Sequence, residues 1–170
     1  MSKKIWNTNG VESSYEIASF LAGEDIELDK SIFIYDIDAT IAHIKGLSSI
    51  GVIKKNELAK LIKSLKELRL KFISGKFKLT EKYEDCHSAI EFYLTKELGE
   101  LGKKVHTGRS RNDQVLVAMR LFAKKNLIDF KKSNKNIARV LLKMAKKYEK
   151  NPMPGYTHLQ RAMPSSWGLW

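Results

Sequence analysis

The spacing of apolar residues along the chain predicts helices almost throughout. Apolar side chains recur at steps of three and four, which places them on one face of an α-helix. A short first helix has Ser13 and Glu16 at capping-box spacing and stops at Gly23. Its inward residues are Ile17, Phe20 and Leu21. A second helix runs to Gly51, and its predicted buried stripe comprises Leu28, Ile32, Tyr35, Ala39 and Ala42.

Two more helices follow, each closed by glycine. The third begins near Asn56 and ends at Gly75. Its inward residues are Leu58, Leu61, Ile62, Leu65, Leu68 and Phe72. Asp85 is placed to cap the fourth, and Gly99 and Gly102 then release the chain into a loop. The stripe of this fourth helix is Ile90, Leu94, Leu98 and Leu101.

The fifth predicted helix decides the architecture. No proline or glycine occurs between Asp113 and Glu149, and such a helix would extend about 55 Å at 1.5 Å per residue. Its apolar residues keep helical spacing: Val115, Met119, Phe122, Leu127, Phe130, Ile137, Leu141, Met144 and Tyr148. A small domain cannot cover that length, so we expect a helical bundle completed by further chain or by other subunits.

The last twenty residues differ in composition. Residues 151–156 read as a turn segment, whereas Trp167, Leu169 and Trp170 suggest the start of another buried helix. We therefore expect the chain to be cut short at Trp170.

Composition narrows the class of protein. A hydrophobic content of 43% and a mean hydropathy of −0.34 indicate an ordinary globular protein. The most apolar stretch is interrupted by Asp36 and Asp38, so we expect no signal peptide and no membrane span. Cys86 is the only cysteine, which excludes an internal disulfide and indicates a reducing, cytoplasmic setting.

The formal net charge of +12 comes from lysines that are spread over polar helix faces. They do not form a basic patch with interleaved aromatic residues, which favours a solvated surface over nucleic-acid binding.

Three polar segments carry candidate chemistry. In residues 103–114, Arg109 and Arg111 can each bind a carboxylate with two parallel hydrogen bonds, just before a helix whose free N–H groups favour anions. Ser110 and Asn112 add neutral donors, but Ser110 and Asp113 also have capping-box spacing, so an elaborate helix cap explains the segment equally well.

The other two segments are weaker on their own. Residues 153–164 hold Thr157, His158, Gln160 and Arg161, and His158 can exchange protons near neutral pH or serve as a structural group. Residues 84–91 contain Asp85, His87, Ser88 and Glu91. Two ligands at helical spacing make a poor metal site, so the better interpretation is that these polar side chains position neighbouring groups. No metal is expected.

Taken together, the segments resemble a known family. The motif from His106 to Gln114, His-Thr-Gly-Arg-Ser-Arg-Asn-Asp-Gln, is similar to the first signature of argininosuccinate lyases. The motif from Pro154 to Pro164 is similar to their second signature, and Glu84 to His87 and the opening Lys4-Ile5-Trp6 also match. The resemblance covers essentially the whole chain.

The resemblance implies the all-α fold of the aspartase/fumarase superfamily. Residues 1–111 would form a small helical N-terminal domain, and residues 112–170 would begin the long-helix central domain, which builds a twenty-helix core in a homotetramer. The implied activity is reversible β-elimination of argininosuccinate to arginine and fumarate, without metal or organic cofactor. Neither a nucleic acid nor a membrane is an implied partner.

The resemblance also assigns residue roles. Arg111 and Asn112 would bind substrate, Arg109 and Ser110 would shape the loop, and Thr157 and Gln160 would fix the substrate. His158 would be the acid/base histidine. Asp85 and His87 would line the pocket.

Two features depart from the family pattern. Gly23 stands near the position where many relatives have a substrate-binding serine. The third signature, a mobile loop that carries the catalytic serine, falls beyond Trp170, so we expect the 170-residue chain to be inactive alone. The alternatives are another lyase of the superfamily, of the adenylosuccinate lyase or fumarase type, and a non-catalytic relative such as a lens crystallin.

Overall fold

A computed structural model of the chain describes residues 23–170. Within that range the elements are helices α1 (Asp25–Asp29), α2 (Phe33–Ser49), α3 (Lys55–Ile73), α4 (Cys86–Leu98), α5 (Glu100–Lys103) and α6 (Arg111–Tyr148), followed by strands β1 (Pro152–Thr157) and β2 (Gln160–Ser166). A 3-10 turn, Lys104–His106, joins α5 to the loop before α6. The helix predicted around Ser13, Ile17 and Phe20 lies outside the described residues. The all-α prediction is confirmed, with one small hairpin added.

The chain divides into two compact units, one ending at Ala123 and the other comprising Lys124–Trp170. In the first unit, α2, α3 and α4 pack around one apolar core. Its fully buried side chains include Phe33, Ile37, Ile44, Leu61, Leu65, Leu68 and Leu94. Phe33 stacks on Phe72 with ring centroids 4.2 Å apart, which ties α2 to the end of α3. The third and fourth predicted helices are confirmed within a few residues.

The prediction for the second helix was wrong in one respect. A turn at residues 30–32 separates α1 from α2, so Leu28 and Ala42 do not share a buried stripe, and Leu28 is 63% exposed. The buried face of α2 instead presents Phe33, Ile37, Ile44 and Leu47, and it also carries Asp36 and Thr40. The break changes the helix phase, which an unbroken 3.6-residue period could not reveal.

Gly102 shows why α5 follows α4 so tightly. A Cβ at this position would lie 2.4 Å from the backbone carbonyl of Leu94. Only glycine permits that approach, and it turns the chain back along α4 toward the loop at residues 107–110.

The long helix is confirmed: α6 has 38 residues, about 57 Å at 1.5 Å per residue. In the first unit, Ala118 of α6 is buried and Phe122 packs edge-on against Tyr35, with ring centroids 5.8 Å apart. From Leu127 to Met144 the apolar side chains of α6 are more than half exposed. No helix among residues 23–170 is long and apolar enough to cross a membrane.

The second unit contains a two-stranded hairpin after α6. β1 and β2 pair antiparallel, with Thr157 opposite Gln160 and an irregularity between Pro154 and Tyr156. Residues 167–169 form a turn, and the N–H groups of Leu169 and Trp170 both donate to the carbonyl of Ser166, so the helix start predicted there stays a prediction. The N–H of Trp167 donates to the carbonyl of Asn151, and that of Gly168 donates to the carbonyl of Tyr148. These bonds bring the end of β2 to the end of α6, and a Cβ on Gly168 would lie 2.3 Å from the Ala145 carbonyl.

Candidate active site

The predicted capping box at the start of α6 is confirmed. The backbone N–H of Ser110 donates to Asp113 Oδ2 at 2.8 Å, and the N–H of Asp113 donates to Ser110 Oγ at 3.3 Å. The bond from Ser110 lowers the pKa of Asp113 below its ordinary value, so the carboxylate is charged near neutral pH. Ser110 therefore caps α6, and its two hydrogen bonds with Asp113 stabilise the first turn of that helix.

Arg111 is held by contacts with α4 and α6. Its Nε lies 3.3 Å from Asp85 Oδ2, one terminal nitrogen donates to Ser88 Oγ at 3.2 Å, and the other donates to Gln114 Oε1 at 3.2 Å. Asp85 also caps α4, because its Oδ1 accepts the N–H of Ser88 at 2.6 Å. The predicted cap is thus confirmed, and the same carboxylate orients the guanidinium.

Arg109 points into the first unit instead. Both of its terminal nitrogens lie 3.4 Å from Thr40 Oγ1, and one of them lies 3.4 Å from the carbonyl of Val105. Burial lowers the pKa of the guanidinium, an effect that the negative charge of Asp36 opposes. The two arginines of the motif therefore face different surroundings: Arg109 anchors the loop, and Arg111 stands at the start of α6.

A buried pair behind the loop was missed by the sequence analysis. His87 Nδ1 donates to Asp36 Oδ2 at 2.7 Å, and both side chains are at most 1% exposed. In the sequence alone, Asp36 is recognisable only as an interruption of an apolar stretch. The signal that could have found it is Thr40, because residues 36 and 40 lie one turn apart on a helix face that is otherwise apolar.

His43 fixes the other end of the loop. Its Nε2 lies 2.9 Å from the carbonyl oxygen of Thr107, just before Gly108, which has φ 70°. Burial lowers the pKa of His43, and the neighbouring charge of Arg109 acts in the same direction. A neutral His43 can donate this hydrogen bond without adding a third positive charge near the arginines.

The donor set around Cys86 favours a hydrogen-bonded pair over a metal. Possible ligand atoms of Asp36, Cys86 and His87 lie within 4.8 Å of one another, and all three residues are buried. However, Asp36 and His87 already bond each other, and burial raises the pKa of the Cys86 thiol, which keeps it protonated. Thiolate is the form that binds metals, so this cluster suits packing and positioning.

The second predicted segment forms the tip of the hairpin. Thr157 and Gln160 are paired at its end, and His158 and Leu159 occupy the turn between them, with φ of 49° and 62°. Non-glycine residues adopt such angles at a cost of about 1–2 kcal/mol. The turn leaves Thr157, His158 and Gln160 exposed to solvent.

The first unit therefore brings together Asp85, His87, Arg109, Ser110 and Arg111, and the hairpin groups Thr157, His158 and Gln160. Asn112 is exposed in the first turn of α6. Guanidinium groups and unpaired N–H groups at a helix start suit a carboxylate ligand. Such a group can stabilise negative charge that builds up on a carboxylate during proton removal.

The comparison with known families identifies the class of protein to which this helical fold belongs. Residues 18–170 match the family described as Lyase, so the chain belongs to that family. Among named relatives, it is 46% identical over 170 residues to argininosuccinate lyase of Stenotrophomonas maltophilia strain K279a and 49% identical to that of Xanthomonas axonopodis pv. citri. In both cases all of this chain is matched but only 39% of the relative.

Solved structures support the fold. An EDDS lyase variant with bound fumarate superposes with a TM-score of 0.68 at 23% identity, over 94% of this chain and 31% of that one. A fumarate lyase from Mesorhizobium sp. BNC1 superposes with a TM-score of 0.63 at 19% identity, over 95% of this chain and 37% of that one. At these identities the likeness concerns architecture, and it confirms the fumarase/aspartase-type helical fold.

Proposed function

We propose that the chain is part of an argininosuccinate lyase, which cleaves argininosuccinate reversibly to arginine and fumarate in arginine biosynthesis. The observation that carries the proposal is Arg111, which Asp85 orients at 3.3 Å on the first turn of α6, within a motif that resembles the family's first signature. Identities of 46–49% to argininosuccinate lyases over the whole chain support this substrate over adenylosuccinate or fumarate alone.

The chemistry requires a concentrated positive potential. A base removes a proton from the carbon next to a carboxylate, electron density moves onto that carboxylate, and the guanidino nitrogen leaves as an acid protonates it. Arg111, Asn112 and the free N–H groups of α6 stabilise this charge. Arg109 and Ser110 hold the loop in place, and Asp85 and His87 form the wall behind it.

The hairpin supplies the remaining groups in the proposal. His158 acts as the acid/base histidine, and Thr157 and Gln160 bind the substrate through their hydroxyl and amide groups. The turn between the two strands carries His158, and an imidazole group can both donate and accept a proton.

Assembly completes the site. The chain spans about two fifths of the length of the relatives it matches, and we place the catalytic serine in the remaining part of that length. The exposed apolar residues of α6 pack in a homotetramer, in which different subunits contribute to each site. We propose that this enzyme works in the cytoplasm on small-molecule substrates.

A chimera tests the proposal. This chain replaces the matching 39% of the Stenotrophomonas maltophilia enzyme, and fumarate release is followed by absorbance with argininosuccinate, adenylosuccinate and malate as substrates. We expect turnover of argininosuccinate alone, and none from the 170-residue chain by itself. A folded, tetrameric chimera that cleaves another succinyl compound in preference would refute the proposed substrate.

A second chimera carries His158→Asn and tests the proposed role of His158. Asparagine tolerates positive φ, but it cannot exchange protons. We expect the kcat of this chimera to fall at least about 100-fold. Full activity in this variant would contradict the role assigned to His158.

A further inference from the structure

A small cavity with several polar residues in its lining borders the loop before α6. Its volume is about 10 Å³, and its lining includes Thr40, His87, Glu91, His106 and Arg109. Within residues 23–170, three of these residues have a buried nitrogen without a hydrogen-bond partner: His87 Nε2, His106 Nδ1 and Arg109 Nε. Such groups are costly to bury unpaired, so three of them around one cavity point to a ligand.

The hydrogen-bonding capacities of the three nitrogens match one water molecule. Arg109 Nε–H can only donate. His87 Nδ1–H donates a hydrogen bond to Asp36, and Nε2 of the neutral ring is then an acceptor. With His106 Nδ1 as a second acceptor, one water can accept one bond and donate two, and a cavity of about 10–15 Å³ is sufficient for it.

We propose that this cavity binds one water molecule, and that Asp36 and His87 are positioning residues that fix Arg109, and with it the signature loop, through this water. The water site stands on the structure alone, whereas its importance for catalysis rests on the proposed function.

Asp36 suits this role because of its position and its charge. It lies one helical turn from Thr40 on α2, so one rigid element contacts His87 with the first residue and Arg109 with the second. Arg109 is partly buried and is repelled by the nearby charge of Arg111, and Asp36 supplies a buried negative charge that opposes both effects. His87, which is buried, then orients Arg109 through the proposed water and does not contact solvent itself.

The water site is tested by ¹⁵N NMR on the 170-residue chain carrying Leu141→Lys, a substitution at an exposed position of α6 that should weaken self-association. We expect the Arg109 Nε–H to exchange with solvent far more slowly than that of the exposed Arg139. A crystal structure of the chain should show a water within hydrogen-bonding distance of all three nitrogens. An Arg109 Nε–H that exchanges as fast as that of Arg139, or a crystal structure with no water between the three nitrogens, would overturn the proposal without any variant being made.

The role of Asp36 is tested by substitution. Asp36→Asn keeps the shape but removes the charge, and Asp38→Asn is the matched control, since Asp38 lies on the same helix and pairs with Arg69. We expect Arg109 Nε–H exchange to accelerate about tenfold in Asp36→Asn and to stay unchanged in Asp38→Asn. Equal exchange rates in two folded variants would count against Asp36 as a positioning residue.

The link to catalysis is measured in the chimera. There, Asp36→Asn should lower kcat/KM about tenfold relative to Asp38→Asn. Equal kcat/KM values would remove the catalytic part of the proposal. An unmutated chimera without lyase activity would refute the proposed function instead, and the NMR results on the water site would be unaffected.

Discussion

Arg111 Nε lies 3.3 Å from Asp85 Oδ2, and this carboxylate also accepts the N–H of Ser88 at the start of α4. Asp85 therefore joins the first turn of α4 to the first turn of α6. Both side chains are partly shielded from solvent, with 26% and 16% of Arg111 and Asp85 exposed. The guanidinium that we assign to substrate binding is thus oriented by the residue that starts the neighbouring helix.

The two tasks of Asp85 can be separated by substitution. Asp85→Ala removes both the cap and the ion pair and should lower the free energy of unfolding by about 1–2 kcal/mol, most of it from the cap. Asp85→Asn keeps a good capping residue and should recover most of that loss. Urea unfolding of the chain measures both. Equal destabilisation by the two variants would show that the ion pair, not the cap, provides the stability.

Asn112 separates substrate binding from helix capping. It is exposed on the first turn of α6, and the capping box belongs to Ser110 and Asp113. In the chimera, Asn112→Ala should lower kcat/KM about 100-fold or more, about 3 kcal/mol of transition-state stabilisation. The melting temperature should hardly change. Ser110→Ala is the comparison: it should destabilise the chain by about 1 kcal/mol. If the Asn112→Ala variant has a lower melting temperature but keeps its activity, Asn112 has a structural role and does not bind substrate.

His43 should make stability depend on pH. Burial lowers its folded-state pKa below the ordinary value of about 6.5. Between these two values the unfolded chain binds more protons than the folded one, so stability rises with pH in this window and falls as the solution is acidified through it. The effect should be small, because His43 is only partly buried.

His43→Gln does not titrate and can still donate to the Thr107 carbonyl, so it should remove this part of the pH dependence. Denaturant midpoints on either side of pH about 6.5 measure it. If the stability of the His43→Gln variant depends on pH in the same way as that of the wild type, another group is responsible.

The outer part of α6 should drive self-association. Phe130 is 66% exposed and Leu141 58% exposed, within a run of apolar residues that a single copy leaves in water. Light scattering at micromolar concentration should show oligomers or aggregates. Leu141→Lys should weaken association, whereas Ser133→Lys, which adds the same charge at a polar position of the same helix, should have little effect. A sharp monomer peak with full helicity in the wild type would refute this prediction.

The sequence by itself determined the helical class, the long helix α6 and the caps at the starts of α4 and α6. These features depend on local causes: the 3.6-residue apolar period, the absence of proline and glycine over α6, and side chains such as Asp85 and Ser110 that bond their own backbone within three residues. The motifs also identified Arg109, Arg111 and the hairpin residues as a group, through their resemblance to one family.

Only the tertiary structure decided which neighbours these residues have. Asp36 and His87 lie 51 positions apart, and Arg109 and Thr40 lie 69 positions apart, so no local pattern could pair them. The turn at residues 30–32 rotated α2 so that Asp36 and Thr40 face inward, and the backbone bonds of Trp167 and Gly168 bring the end of β2 to the end of α6. Burial makes these long-range bonds matter, because a polar group removed from water must find its partner within the fold.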